Sequence, residues 1–165
     1  SSFAVNYCKV SLGLDVFQGD STDMGFKDKS FDAITMWHVL EHTANPILIL
    51  KEIRRIIRED GVFILAVPNF NNILSQWAYR LVKGKHMHLF SPQDRELHLY
   101  HFTPATIRLS LEKAGFRVIK IIPDMGIIQW HIRSLNYITG ALSFLSGQIL
   151  TDAMEIHAIP ERDGE

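Results

Sequence analysis

The chain of 165 residues has one cysteine, Cys8, so no disulfide can form within it. That absence fits a reducing cytoplasm. No window holds the ~18 uninterrupted apolar residues that a membrane-spanning helix needs. Neither charge dominates: 17 basic residues face 18 acidic ones, for a net charge of −1. This removes the electrostatic footprint of a nucleic-acid binder. No internal repeat, low-complexity run or linker divides the chain, which is expected to be a single domain over 1–165. The opening "SSFAVNYCKV" lacks the basic start and apolar block of a signal peptide. It also lacks an initiator methionine, which suggests a fragment. No G-x-G-x-x-G opens a helix anywhere, which weakens a nucleotide-dependent oxidoreductase reading.

What is present alternates between two periods. Residues 2–11 read as a helix ending before Gly13. "LDVFQGD" reads as a short strand closed by Gly19-Asp20, and Phe31 to Trp37 as a second strand. Asn45-Pro46 then starts a helix, with a capping side chain before a proline at the first turn. Ile49, Leu50, Ile53, Ile56 and Ile57 share one face of it, and Gly61 is expected to close it. "GVFILAVP" has the unbroken apolar character of a strand buried on both faces. Residues 69–100 read as an insertion. Thr103-Pro104 starts another helix, stopped by Gly115, and "FRVIKII" and "AMEIHAI" are later strands. The order predicts an α/β layered fold with a mainly parallel sheet, in which ligands bind outside the carboxyl ends of the strands.

The segment 127–147 is predicted to be one long helix. Ile128, Leu135 and Leu142 recur every seven residues, as do Trp130, Tyr137 and Phe144. The two sets lie on opposite sides at about 100° per residue. Such a helix needs a second cover: the insertion, a partner chain in a homodimer, or peripheral contact with a membrane surface.

The run "FDAITMWHVLEHTANP" delivers Trp37, His38, Glu41 and His42 to the exit of a strand. An aromatic face such as Trp37 suits a cation. His38 can act as a general base from an ordinary pKa near ~6.5, or can be a packed ring with no partner carboxylate. Glu41-His42 can contact substrate, or brace the loop before Asn45. His86, His88, His98 and His101 form a second histidine group, and no metal is expected there.

Over residues 1 to 122 the ordered set "LDVFQGD…FKDKSFDAITMWHVLEHTANPILILKEIRRIIREDGVFILAVPN", followed by "HLYHFTPATIRLSLEKAGF", resembles the second half of a class I S-adenosylmethionine-dependent methyltransferase of the small-molecule type. The resemblance implies a partial Rossmann-like fold with helices on both faces, lacking the first two strands and the glycine-rich cofactor loop. Under it, Asp20 and Ser21 would meet the adenine, Trp37 and His38 would line the methionine part, and Glu41, Tyr100, His101 and Trp130 would face the acceptor. His38 and His42 are the candidate catalytic residues. Metal-binding relatives carry a further glutamate where His38 stands, so no metal is expected here.

The cofactor implied is S-adenosylmethionine, and the acceptor a small-molecule, glycan- or lipid-like compound. The truncated chain itself is expected to be inactive. The competing expectation is a non-catalytic dimerising module. The resemblance also implies an exposed edge on the Phe31 to Trp37 strand, with Leu14 to Gln18 or another chain expected to pair there.

Overall fold

The computed structural model describes residues 1–19, 22–72, 77, 80–81, 84, 98–124 and 133–161, with the side chains of 133–136 set aside. Asp20, Ser21, Trp130, His86 and His88 lie outside the described residues, as does most of the expected 69–100 insertion.

Four helices and four strands alternate: α1 (Ser2–Leu12), β1 (Phe31–Trp37), α2 (Pro46–Ile56), β2 (Ile57–Pro68), α3 (Pro104–Lys113), β3 (Phe116–Asp124), α4 (Arg133–Ser146) and β4 (Ala153–Pro160). The strands form one sheet in the order β1-β2-β4-β3. β1 and β2 pair in parallel, while β4 pairs antiparallel with both β2 and β3. Three strands therefore run one way and β4 runs against them, which makes an α/β layered sheet with its ligand-facing end where β1 and β2 finish.

The caps are those the sequence announced. The Asn45 side chain accepts from the Leu48 amide with Pro46 at the first helical position, and Thr103 and Thr106 form a reciprocal capping box. Gly13 ends α1 in the left-handed conformation, with φ +63°.

The core lies on one side of the sheet. Ile49, Leu50 and Ile53 of α2 pack with Phe63 and Leu65 of β2 and with Ile107 and Leu111 of α3. Burying each such side chain contributes about 1.5–3 kcal/mol. Along β4 the burial alternates, with Met154, Ile156 and Ala158 inward and Glu155 and His157 half-buried on the other face. The burial of β2 on both faces is accordingly incomplete. Phe63, Leu65, Ala66 and Val67 are buried, while Val62 and Ile64 are only half-buried.

Three expectations are corrected. Gly61 does not close α2, which ends at Ile56 as the backbone turns extended at Ile57. Gly61 instead lies inside β2, where the pairing with β1 jumps from Phe31↔Ile57 to Ala33↔Val62. A Cβ there would come within 2.7 Å of Ile57 Cγ1 and 3.0 Å of the Arg58 and Asp32 carbonyl oxygens. The glycine is thus a close-approach residue.

Leu14 to Gln18 is not a strand. No strand among the described residues borders the outer edge of β1, so the expected pairing of Leu14 to Gln18 with that edge does not form. Phe17 instead meets Phe26 edge-on at 5.3 Å, and Phe26 meets Phe31 at 5.0 Å.

The long helix is described from Arg133, and its large apolar residues do not face the sheet. Tyr137, Ile138, Leu142, Phe144 and Leu145 are exposed, whereas Thr139, Gly140 and Ser143 are buried. The Ser143 hydroxyl donates to the Thr139 carbonyl at 2.7 Å and accepts from the Leu150 amide at 2.8 Å. The small face lets the helix lie close to the body, and the described large apolar residues, Tyr137, Ile138, Leu142, Phe144 and Leu145, stay exposed.

Candidate functional site

β1 leaves the sheet at Trp37, and the parallel ladder extends one step further: the His38 amide donates to the Ala66 carbonyl at 3.0 Å. His38 then turns into the left-handed region at φ +51°. A non-glycine residue adopts that conformation at a cost of about 1–3 kcal/mol, and such costs cluster at functional sites. The turn reverses the chain into the single 3-10 turn Leu40–His42, which drives Leu40 and Glu41 into the interior. Trp37, at the strand's last position, keeps 49% of its surface exposed.

A second segment straps over this turn. The amides of Leu99 and Tyr100 both donate to the Glu41 carbonyl, at 2.8 and 3.1 Å, and the Tyr100 hydroxyl donates to the Ala44 carbonyl at 3.2 Å. The Phe70 amide donates to the Phe102 carbonyl at 2.8 Å. Residues 98–102 thus bridge the exits of β1 and β2. They bring the ring of His98 to 4.8 Å from that of His42, and His101 to 5.3 Å from Phe70.

The electrostatics centre on His38. Its Nδ1 lies 3.4 Å from Glu41 Oε1 and its Nε2 lies 3.8 Å from Asp124 Oδ2. The Asp124 carboxylate foremost, and Glu41 after it, raise the imidazole from the ordinary 6.5 to about 9, against the opposing pull of burial. His38 therefore holds its proton at neutral pH. The reading of His38 as a packed ring without a carboxylate partner gives way to a cation between two acids. Glu41 keeps 1% of its surface exposed, and among the described residues neither of its carboxylate oxygens has a hydrogen-bond donor. The His38 contact at 3.4 Å is an ion pair, outside the alignment of a hydrogen bond.

Of the sequence candidates, the structure gathers Trp37, His38, Glu41, His42, Tyr100 and His101 at one end of the sheet. Two residues join them that sequence reasoning did not assign to the site. Asp124 ends β3, an acid at a strand's carboxyl end, and that position is the signal that could have marked it. His98 stands 57 residues from Glu41 in sequence, and only the fold pairs them.

The sequence model of a family described as a methyltransferase domain matches residues 4–121. No curated protein matches the chain. Solved structures match in fold. One is a SAM-dependent methyltransferase from Thermotoga maritima, with TM-score 0.59 and 20% identity, covering 92% of this chain and 66% of that one. A second is a methyltransferase of Haloferax volcanii solved in complex with the Trm112 methyltransferase activator, with TM-score 0.58 and 18% identity, covering 92% and 66%. A third is the [4+2]-cyclase SpnF, with TM-score 0.55 and 15% identity, covering 93% and 61%. This chain spans just under two thirds of each. At these identities the likeness is one of fold, and the cyclase shows that the fold carries more than one reaction.

Proposed function

Because the chain belongs to the methyltransferase-domain family, we propose that its protein transfers a methyl group from S-adenosylmethionine to a small-molecule, glycan- or lipid-like acceptor. The observation that carries this is the exit of β1. In a chain of that family, Trp37, His38 and the Glu41 turn converge where a layered α/β sheet offers its ligand crevice.

Methyl transfer from a sulfonium needs in-line approach and exclusion of water. Trp37 and His38 border the methionine part of the cofactor, and Asp20 and Ser21 meet its adenine. His42, Tyr100, His101 and Trp130 face the acceptor, while Glu41 lies buried against His38. When bound, the cofactor supplies the electrophilic methyl. The chain's own residues orient the acceptor and close the crevice over it, with residues 98–102 as the roof. The proposal includes a cytoplasmic setting and no nucleic-acid partner, in keeping with the near-zero net charge. Among the described residues no helix is long and apolar enough to cross a membrane.

Calorimetric titration of S-adenosylmethionine and of its demethylated product, into this chain and into the longest encoded form of the protein, tests the reading. Saturable one-site binding by the longest form is expected. Binding of neither compound by either form would overturn it in favour of a non-catalytic dimerising module.

A further inference from the structure

Glu41, His42 and His98 each offer one ligand atom, and these three atoms lie within 4.8 Å of one another. The separation from His42 Nε2 to Glu41 Oε1 is 4.0 Å. Two imidazole nitrogens and one carboxylate oxygen around a metal at about 2.0–2.2 Å would stand roughly 3.3 Å apart, so a closure of under about 1.5 Å completes the geometry. The middle of this cluster is a carboxylate that keeps 1% exposure and has no hydrogen-bond donor on either oxygen among the described residues. A buried acceptor left in that state costs free energy. Glu41 Oε1 lies 3.4 Å from His38 Nδ1 and 4.0 Å from His42 Nε2.

We infer that Glu41, His42 and His98 form a binding site for a divalent transition-metal ion of the zinc class. Two imidazoles select against magnesium and calcium, which take oxygen ligands. Three protein ligands leave a fourth position open, as in zinc sites that bind water or substrate. His42 keeps 31% side-chain exposure, so the cluster is reachable from solvent. The ion would also staple residues 98–102 to the Leu40–His42 turn, adding to the two backbone bonds that already join them.

The site draws one ligand pair from the β1 exit and one ligand from the distant histidine group. The two groups lie more than fifty residues apart in sequence, and only the fold brings His98 to Glu41 and His42. The inference goes beyond the methyl-transfer reading and needs neither cofactor nor acceptor to test.

The experiment titrates Co²⁺ into the metal-free protein, following visible absorption, with Zn²⁺ as competitor and thermal unfolding as a second readout. One equivalent of Co²⁺ is expected to bind with a ligand-field spectrum of low coordination number, to be displaced by Zn²⁺, and Zn²⁺ is expected to raise the unfolding temperature. His98→Ala, at a half-buried strap position, is expected to weaken binding about a hundredfold or more, since losing even a supporting group costs 10–100-fold. His157→Ala, on β4 and paired with Glu155, is expected to leave it unchanged. Far-ultraviolet circular dichroism confirms that both variants fold. No saturable one-equivalent binding, or equal affinity in His98→Ala, overturns the inference.

Discussion

Asn69, the residue at which β2 leaves the sheet, donates from its side-chain amide to the Thr151 carbonyl at 3.0 Å. The same nitrogen donates to the Ile149 carbonyl at 2.9 Å, and the amide oxygen accepts from the Asn71 backbone at 3.0 Å. Beside it the Asn72 side chain bonds to that of Asp152. A residue with 5% exposure thus ties the exit of β2 to the entry of β4 across some eighty residues of sequence. Asn69→Ala would strip a partner from one buried and one half-buried carbonyl. A loss of about 2–4 kcal/mol is expected from the unsatisfied groups, read from urea unfolding midpoints at unchanged slope. A loss under about 0.5 kcal/mol would show that water replaces the amide, since net costs that small mark exposed positions.

Gly61 gives a second stability test, at the pairing shift between β1 and β2. A methyl group at this position would meet Ile57 Cγ1 at 2.7 Å and two backbone oxygens at 3.0 Å. The side-chain atom can yield, but the carbonyls of Arg58 and Asp32 belong to the paired strands. Gly61→Ala is expected to cost about 1–3 kcal/mol, as overpacking does. Gly13→Ala, with open space around it, should cost only the left-handed backbone penalty of about 1 kcal/mol. Equal costs at the two sites would mean that the strands part freely at the shift.

Glu52 sets an acid limit on stability. It keeps 8% exposure and accepts from Arg55 Nε at 2.8 Å, Arg55 Nη2 at 2.6 Å and the Met24 amide at 3.0 Å. The Arg55 guanidinium, helped by the Met24 amide, holds the carboxyl below its ordinary 4.5 against the opposing effect of burial. A group whose folded pKa is depressed stabilises fully above its unfolded pKa, and that contribution is lost as pH falls through the folded one. Glu52→Gln is therefore expected to reduce stability at pH 7 and to flatten the decline below about pH 4.5. Unfolding free energies from pH 7 to 3 for both proteins check this. Parallel curves would place the acid sensitivity elsewhere, with Glu59 beside Lys29 and Arg54 the next group to examine.

Much of this architecture was legible before any coordinates, and the parts that were not have physical causes. The caps at Asn45 and Thr103 are local chemistry, decided within four residues, and both stand as read. The turn carrying His38, Glu41 and His42 stands at the carboxyl end of β1, as strand order required. Gly61 misled because a glycine after an amphipathic run has the same appearance whether it ends a helix or admits a neighbouring strand. Leu14 to Gln18 has strand composition, yet a strand forms only against a partner, and composition does not supply one. In α4 the described members of the heptad sets, Tyr137, Leu142 and Phe144, are exposed. Burial went to Thr139, Gly140 and Ser143, because close approach of a helix favours small residues over large ones. Asp124 and His98 reach the site through tertiary folding alone.

Trp37 provides the sharpest test of the crevice as a cofactor site. It ends β1 half in solvent, held by the parallel ladder that continues through His38 to Ala66. An indole placed there presents a broad π face, and a sulfonium lying against it gains about 0.5–2 kcal/mol from cation–π attraction. Trp37→Ala should then weaken S-adenosylmethionine binding by about three- to thirtyfold, the affinity equivalent of that energy. The demethylated product carries no positive sulfur, so its affinity should fall less, through lost contact area alone. Trp37→Phe, which keeps a smaller π face, should lie between. The ratio of the two ligands' losses carries the argument, because a purely structural role for Trp37 would weaken both equally. Equal losses in calorimetric titration would remove the sulfonium contact from Trp37 and leave it as a packing residue at the rim.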